Sequence, residues 1–449
     1  MPKRDQYLSG LIAFAAIIVT TPVLAQVEPG ATGGAATDND TQMMTPAPVS
    51  GEAYPTTFSS NARSNYLSLG VSANGAYVNN VLPGSTTTPV NDATFSIAPT
   101  LTLSRSTPRQ HTDLSYSPSF LLYEPTTALN TINQGGSVAV AYRFSEQVSV
   151  SLEDYFYRTS NVFDQSYTFS NGGIAGSTQA PTTTVIAPFA TQLANTVHGI
   201  LSYQFGRDGM VGGGGSYSIT NFPNPANSSG LSNSNATGAS AFYNRRLSRA
   251  QYFGLEYEYG HITTNGLNSQ STIDTHSLLP FYTRYLTRAI SFSVVAGIEH
   301  TDVTLTQSPE TQSWSPSVEA SMGWRSSRVA FAANYAHTIT SGGGLLGAFN
   351  SNGGGGTFTC RLTSNWSGAA SANFVRTSDV SPQTVAYAGG TTITGQASLS
   401  RAIGEHFNVE FGYQRLHQDY SGLAVISHNP DSDEGFGRIS YQFRKPLGR

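Results

Sequence analysis

Residues 290–299 read ISFSVVAGIE, and their alternation limits the fold more than any other stretch. Ile290, Phe292, Val294, Ala296 and Ile298 share one parity. Ser291, Ser293, Gly297 and Glu299 share the other, with Val295 the one large apolar residue among them. Successive side chains of a strand point to opposite faces, so this run predicts a strand with one apolar and one polar face. A very short turn, Thr287-Arg288-Ala289, joins it to an upstream run beginning at Ser277. That upstream half is β-rich, but apolar residues occupy both of its parities, so its facing stays open. The unit predicted is a pair of long antiparallel strands, one face of which needs water.

The same unit recurs along the chain. Leu114, Tyr116, Phe120 and Leu122 oppose Asp113, Ser115, Ser117 and Ser119. Val138, Val140, Tyr142 and Phe144 oppose Ser137, Ala139, Ala141 and Arg143. Phe407, Val409, Phe411 and Tyr413 oppose Asn408, Glu410, Gly412 and Gln414. Alternating runs of this kind predict about 18 strands between about residues 66 and 444, with 16 as the alternative.

Connections alternate in length. Tight turns centre near residues 107, 146, 207, 249, 288, 327, 367 and 405, about 40 residues apart except for one gap of about 60. Longer Gly/Ser/Asn/Pro-rich loops lie between them, the longest running from about Asn161 to Gln192. A propeller would divide each 40-residue repeat into four short strands, whereas these runs are long enough for a tilted strand to cross a bilayer. Short turns on one side and long loops on the other are the pattern of a transmembrane barrel.

Composition fits. Only 11% of the residues are charged, and aromatic residues are another 11%, against about 25% charged in soluble domains. A mean hydropathy of −0.21 is too low for a helical membrane protein. Lys3 and Arg4, an apolar stretch from Leu8 to Val19 and Val23-Leu24-Ala25 predict a signal peptide over 1–25. Residues 26–63 lack periodicity and predict a disordered periplasmic segment, with the barrel over 64–449. The single Cys360 excludes an intramolecular disulfide. The net charge of −4 carries no nucleic-acid signature.

With Tyr441 and Phe443 near its end, the chain resembles a Gram-negative outer-membrane β-barrel of porin-like size, over about residues 66–444. It departs from that family in ending on Arg444-Lys445-Pro446-Leu447-Gly448-Arg449 rather than on an aromatic residue. The resemblance implies an all-β, transmembrane antiparallel β-barrel in the cell outer membrane. It also implies outer-membrane lipid and the barrel-assembly machinery as partners, with a homo-oligomer left open. It implies, too, that the third long loop folds inward, with Asp164, Gln179, Thr182 and Phe189 as constriction residues.

On the polar parity lie Arg143, Glu153, Glu256, Glu258, Glu299, Glu319 and Glu410, the expected lumen-lining charges. Arginines gather at the short-turn side, either to meet lipid phosphates or to form a basic mouth. His261, Asp274, His276, His300 and Asp302 lie near long-loop ends, where amphipathic anchoring competes with a rim metal or acid–base site. His261 and His300 share parity with lipid-facing aromatics, which favours anchoring. Gly212 to Gly215 is either a bend in the wall or room for a plug. The expected function is a channel for passive diffusion of small polar solutes, needing no cofactor and no enzymatic chemistry. A structural, assembly or export-associated barrel with an occluded lumen, and a barrel-embedded hydrolase, are the rivals.

Overall fold

A computed structural model describes residues 65–83, 88–107, 109–160, 163, 190–206, 208–223, 231–248, 250–266, 269–287, 289–306, 309–340, 344–380, 389–421 and 431–447. Strands dominate these residues. They are β1 (Tyr66–Val78), β2 (Asp92–Ser106), β3 (Gln110–Glu124), β4 (Thr131–Arg143), β5 (Val148–Thr159) and β6 (Gln192–Phe205). Then come β7 (Gly209–Asn221), β8 (Asn233–Ser248), β9 (Gln251–Asn265), β10 (Gln270–Tyr285), β11 (Ile290–Leu305) and β12 (Thr311–Arg325). The last six are β13 (Val329–Thr340), β14 (Phe349–Arg361), β15 (Trp366–Asp379), β16 (Gly389–Ile403), β17 (Phe407–Ser421) and β18 (Asp431–Pro446).

Each strand pairs antiparallel with its sequence neighbours, and β1 also pairs with β18, from Tyr66↔Pro446 to Val78↔Glu434. The 18-stranded sheet is therefore closed. Closure removes, along most of the wall, the sheet edges that lipid cannot satisfy. The tight turns use local chemistry. Gln110, Val148, Ile290 and Val329 each donate a backbone N–H to the hydroxyl of Thr107, Ser145, Thr287 or Ser326 three residues earlier. A Ser or Thr opening a turn supplies an acceptor for these otherwise unpaired amides.

One parity of every strand faces out. Leu69, Ile97, Leu122, Leu201, Leu255, Ile298 and Phe411 are all exposed large apolar side chains on that face. Near the short turns the outward face carries aromatic pairs such as Phe205–Tyr243, with centroids 6.1 Å apart. Arg401 lies over the Trp366 ring there, 5.4 Å from its centroid. An apolar belt edged by aromatics, on a closed barrel, matches the two interfaces and core of a bilayer. This is an outer-membrane barrel, and its strands cross the membrane.

The inner face resolves the facing of the upstream hairpin half. Leu278, Pro280 and Tyr282 point outward, while Leu279 and Phe281 point inward and form an apolar cluster with Val295. Val295, the exception in the alternation, is thus part of an apolar patch on the lumen wall.

Candidate functional site

All seven expected lumen charges sit on the inward parity. Arg143 lies at the periplasmic end of β4 and is exposed. Glu153 on β5 accepts a hydrogen bond from the Tyr155 hydroxyl at 2.9 Å and lies 3.5 Å from His198 Nε2 on β6. Glu410 on β17 lies 3.7 Å from Arg438 on β18. The other four occupy one sector. Register carries Glu258 on β9 to Ser277 on β10, then Glu299 on β11, then Ser315 on β12. Glu319 lies in the row of Val295, Phe281 and Gly254. Glu256, Glu299 and Glu319 are all buried. Among the described residues, Arg438 is the one Arg or Lys on the inward face between the two rims.

The two sides of the lumen differ. On β8 to β12 most inward side chains are buried, including Asn244, Thr283, Ser293 and Thr301. On β3 to β6 and β15 to β18 most mid-barrel inward residues are half-buried or exposed, including Ser115, Ser151, Gln396 and Arg438, although Phe436 is buried. Polar side chains with solvent exposure therefore gather on the second side, with Glu153 and His198 on one strand pair and Glu410 and Arg438 on another.

Glycines let aromatic rings lie flat on the packed side. A Cβ on Gly254 would strike the Phe281 ring and the Tyr243 carbonyl oxygen. A Cβ on Gly212 would strike Phe242. Of the two readings of the glycine run, close packing holds at Gly212, because a neighbouring aromatic ring occupies the space its side chain would need.

The expected constriction residues Asp164, Gln179, Thr182 and Phe189 lie outside the described residues. A different segment enters the barrel. Beyond His337, β13 leaves the wall. Ile339 has the outward parity of Tyr335 and His337, yet it is 0% exposed. It packs with Ala348 against Ile262, Ile273 and Val303, all inward-facing residues of β9 to β11. The Ile339 backbone N–H donates to Glu299 Oε2 at 3.4 Å. A strand can touch the inner surface of its neighbours in this way only from inside the barrel. Residues 344–349 extend the intrusion. Leu345 and Phe349 pack with Ala190, Phe222, Leu231 and Tyr420. Ser232 N–H donates to the Gly344 carbonyl at 2.8 Å, and Gly344 has φ +111°. A separate apolar cluster, Val78, Val81, Leu82, Leu121 and Tyr123, covers the ends of β1 and β3. Apolar loop packing thus narrows the extracellular mouth.

The histidine group faces the other way. His261, Asp274, His276, His300 and Asp302 all have outward parity, with His261 2.9 Å from Asp274 and His300 3.5 Å from Asp302. The Tyr257 hydroxyl lies 2.8 Å from His276 Nδ1. The rim arginines divide: Arg105, Arg245, Arg284 and Arg401 face outward, and Arg143, Arg246, Arg325 and Arg444 face the lumen. Arg207, Arg249 and Arg288 lie outside the described residues.

No protein-family model matches the chain, and no curated protein matches it. Among solved structures, OccK2 (OpdF) of Pseudomonas aeruginosa aligns at a TM-score of 0.41 and 10% identity, covering 85% of this chain and 98% of that one. The outer membrane protein opdK of Pseudomonas aeruginosa aligns at 0.40 and 10% identity, covering 84% and 99%. The FrpB iron transporter of Neisseria meningitidis aligns at 0.40 and 10% identity, covering 80% of this chain and 64% of that one. What this lumen does has to be read from its own residues.

Proposed function

We propose that the barrel is a channel through which small polar solutes cross the outer membrane by passive diffusion. The carrying observation is the contrast across the lumen: a tightly packed wall on β8 to β12 faces a half-exposed polar wall on β3 to β6 and β15 to β18. Size exclusion arises where residues 344–349 narrow the mouth. Charge bias arises from the half-exposed inward carboxylates Glu153 and Glu258, because a low-dielectric wall focuses their field into the aqueous side. No chemical step enters this reading. Lipid and the machinery that inserts barrels are the partners it requires.

The test is swelling of liposomes containing the refolded protein in saccharides of graded mass. Entry of a monosaccharide but not of a large oligosaccharide supports the channel. A folded barrel that admits neither would favour the second reading, an occluded structural or export barrel. The apolar clusters over the mouth are the observation behind that second reading.

A further inference from the structure

The same inward bend leaves a break in the barrel wall. The β12–β13 ladder runs from Arg325↔Ala330 only to Val318↔His337. Residues 311–317 of β12 remain paired with β11 but have no β13 partner in the ladder. The break lies at lipid level. Pro316, in the open stretch, is opposite Ile298 on β11, which is opposite Leu278 on β10. Ile298 is 55% exposed and Leu278 45%, both on the outward apolar face. Just above them Trp314 is 69% exposed and packs on His300 at 4.5 Å, marking the interface.

Lipid does not tolerate an unpaired sheet edge, so an edge at this depth needs something beside it. Pro316 removes one backbone donor there, as prolines do at strand edges. Behind the break, the inward wall changes character. Most of the lumen face is Ser, Thr, Gly and charged residues, but Ile262, Ile273 and Val303 form an apolar patch, now covered by Ile339 and Ala348. Beside the patch, the Oγ1 of Thr301, a fully buried residue, and the Oγ atoms of Ser313 and Ser315 have no hydrogen-bond partner. Apolar surface next to unsatisfied hydroxyls is the complement of a molecule with a tail and a polar head.

We infer that the β12–β13 break is a lateral portal through which an acyl-chain amphiphile passes between the lumen and the outer leaflet. The chain takes the place of Ile339 and Ala348 on the Ile262–Ile273–Val303 patch when these two residues move off it. The head group meets Thr301, Ser313 and Ser315. This goes beyond diffusion along the barrel axis, and it stands or falls separately from it.

The test is photolabelling of the full-length protein in vesicles of phosphatidylcholine bearing a diazirine in the acyl chain, with adducts mapped by mass spectrometry. Adducts on Ile273 or Val303, which are inside the barrel, are expected. Adducts confined to outward residues such as Ile298 would overturn the portal. Extending the β12–β13 register places Ser317 beside Thr338. In a Cys360→Ser background, Ser317→Cys with Thr338→Cys should seal the break on oxidation and cut the inner labelling at least tenfold, with recovery on reduction. Undiminished inner labelling in the oxidised, gel-verified disulfide form would show entry through the mouth and overturn the inference. Val303→Asp provides a variant that needs no disulfide. Tenfold weaker labelling of Ile273 supports the acyl-chain site, and unchanged labelling in a folded barrel rejects it.

Discussion

Removing the apolar anchors of the inward segment tests whether it restricts the mouth. Leu345 is 2% exposed and Phe349 1%, and both belong to the cluster with Phe222, Leu231 and Tyr420. Leu→Ala at buried sites costs about 2–5 kcal/mol and Phe→Ala about 3–5 kcal/mol. The two residues share one cluster, so their losses do not simply add. A joint loss of about 5 kcal/mol shifts the equilibrium between docked and undocked segment by roughly three to four powers of ten. The barrel itself keeps its ladders, because neither side chain is on a lipid-facing strand position. Leu345→Ala with Phe349→Ala should therefore fold, shown by faster migration on an unboiled detergent gel. It should give larger or longer-lived single-channel openings than the parent in a planar bilayer. A conductance histogram that superimposes on the parent's, from protein shown to be folded, would refute the idea that this packing restricts the mouth.

Glu153→Gln with Glu258→Gln removes two half-exposed carboxylates from the inward face, so cation preference, read as the reversal potential in a salt gradient, should move towards the unselective value. Gly254→Ala puts a Cβ into the Phe281 ring and the Tyr243 carbonyl, so urea unfolding of the lipid-refolded barrel should show a loss of about 1–3 kcal/mol. Leu255→Arg, on the outward face of β9, should lower the same folding free energy by about 2–4 kcal/mol if it sits near the bilayer midplane.

Barrel architecture was legible wherever a strand crosses hydrocarbon, because there the outward parity must be apolar while the inward parity is wet. It faded at the extracellular ends. Alternation predicts starts near residues 135, 315 and 355, but β4, β12 and β14 begin at Thr131, Thr311 and Phe349. Above the interface the outward face turns polar, as at Asn350 and Gln312, so the contrast disappears while the hydrogen-bonded ladder continues. The upstream half of the first hairpin was ambiguous for the opposite reason: Leu279 and Phe281 make the lumen wall itself apolar.

The inward segment was the main omission in the site. Its signal was present, since Leu345, Leu346, Ala348 and Phe349 form an apolar run in a loop that would otherwise be polar. Gly342, Gly343, Gly344 and Gly347 surround the run, and so glycine-rich a setting has the composition of a solvated loop. Parity alone puts these charged residues on the inward face, but which of them are gathered on one wall depends on register between strands far apart in sequence. Glu258 and Glu299 share a row only because β9, β10 and β11 pair in a register that no single strand reveals.

Single-channel recording of the refolded parent protein, with the reversal potential measured in a salt gradient, tests the channel reading most directly. Discrete, stable open steps with a reversal potential favouring cations are predicted, because the half-exposed carboxylates Glu153 and Glu258 lie on the described inward face between the rims and its one arginine is beside Glu410. Electrical silence from a correctly folded barrel would contradict an open lumen.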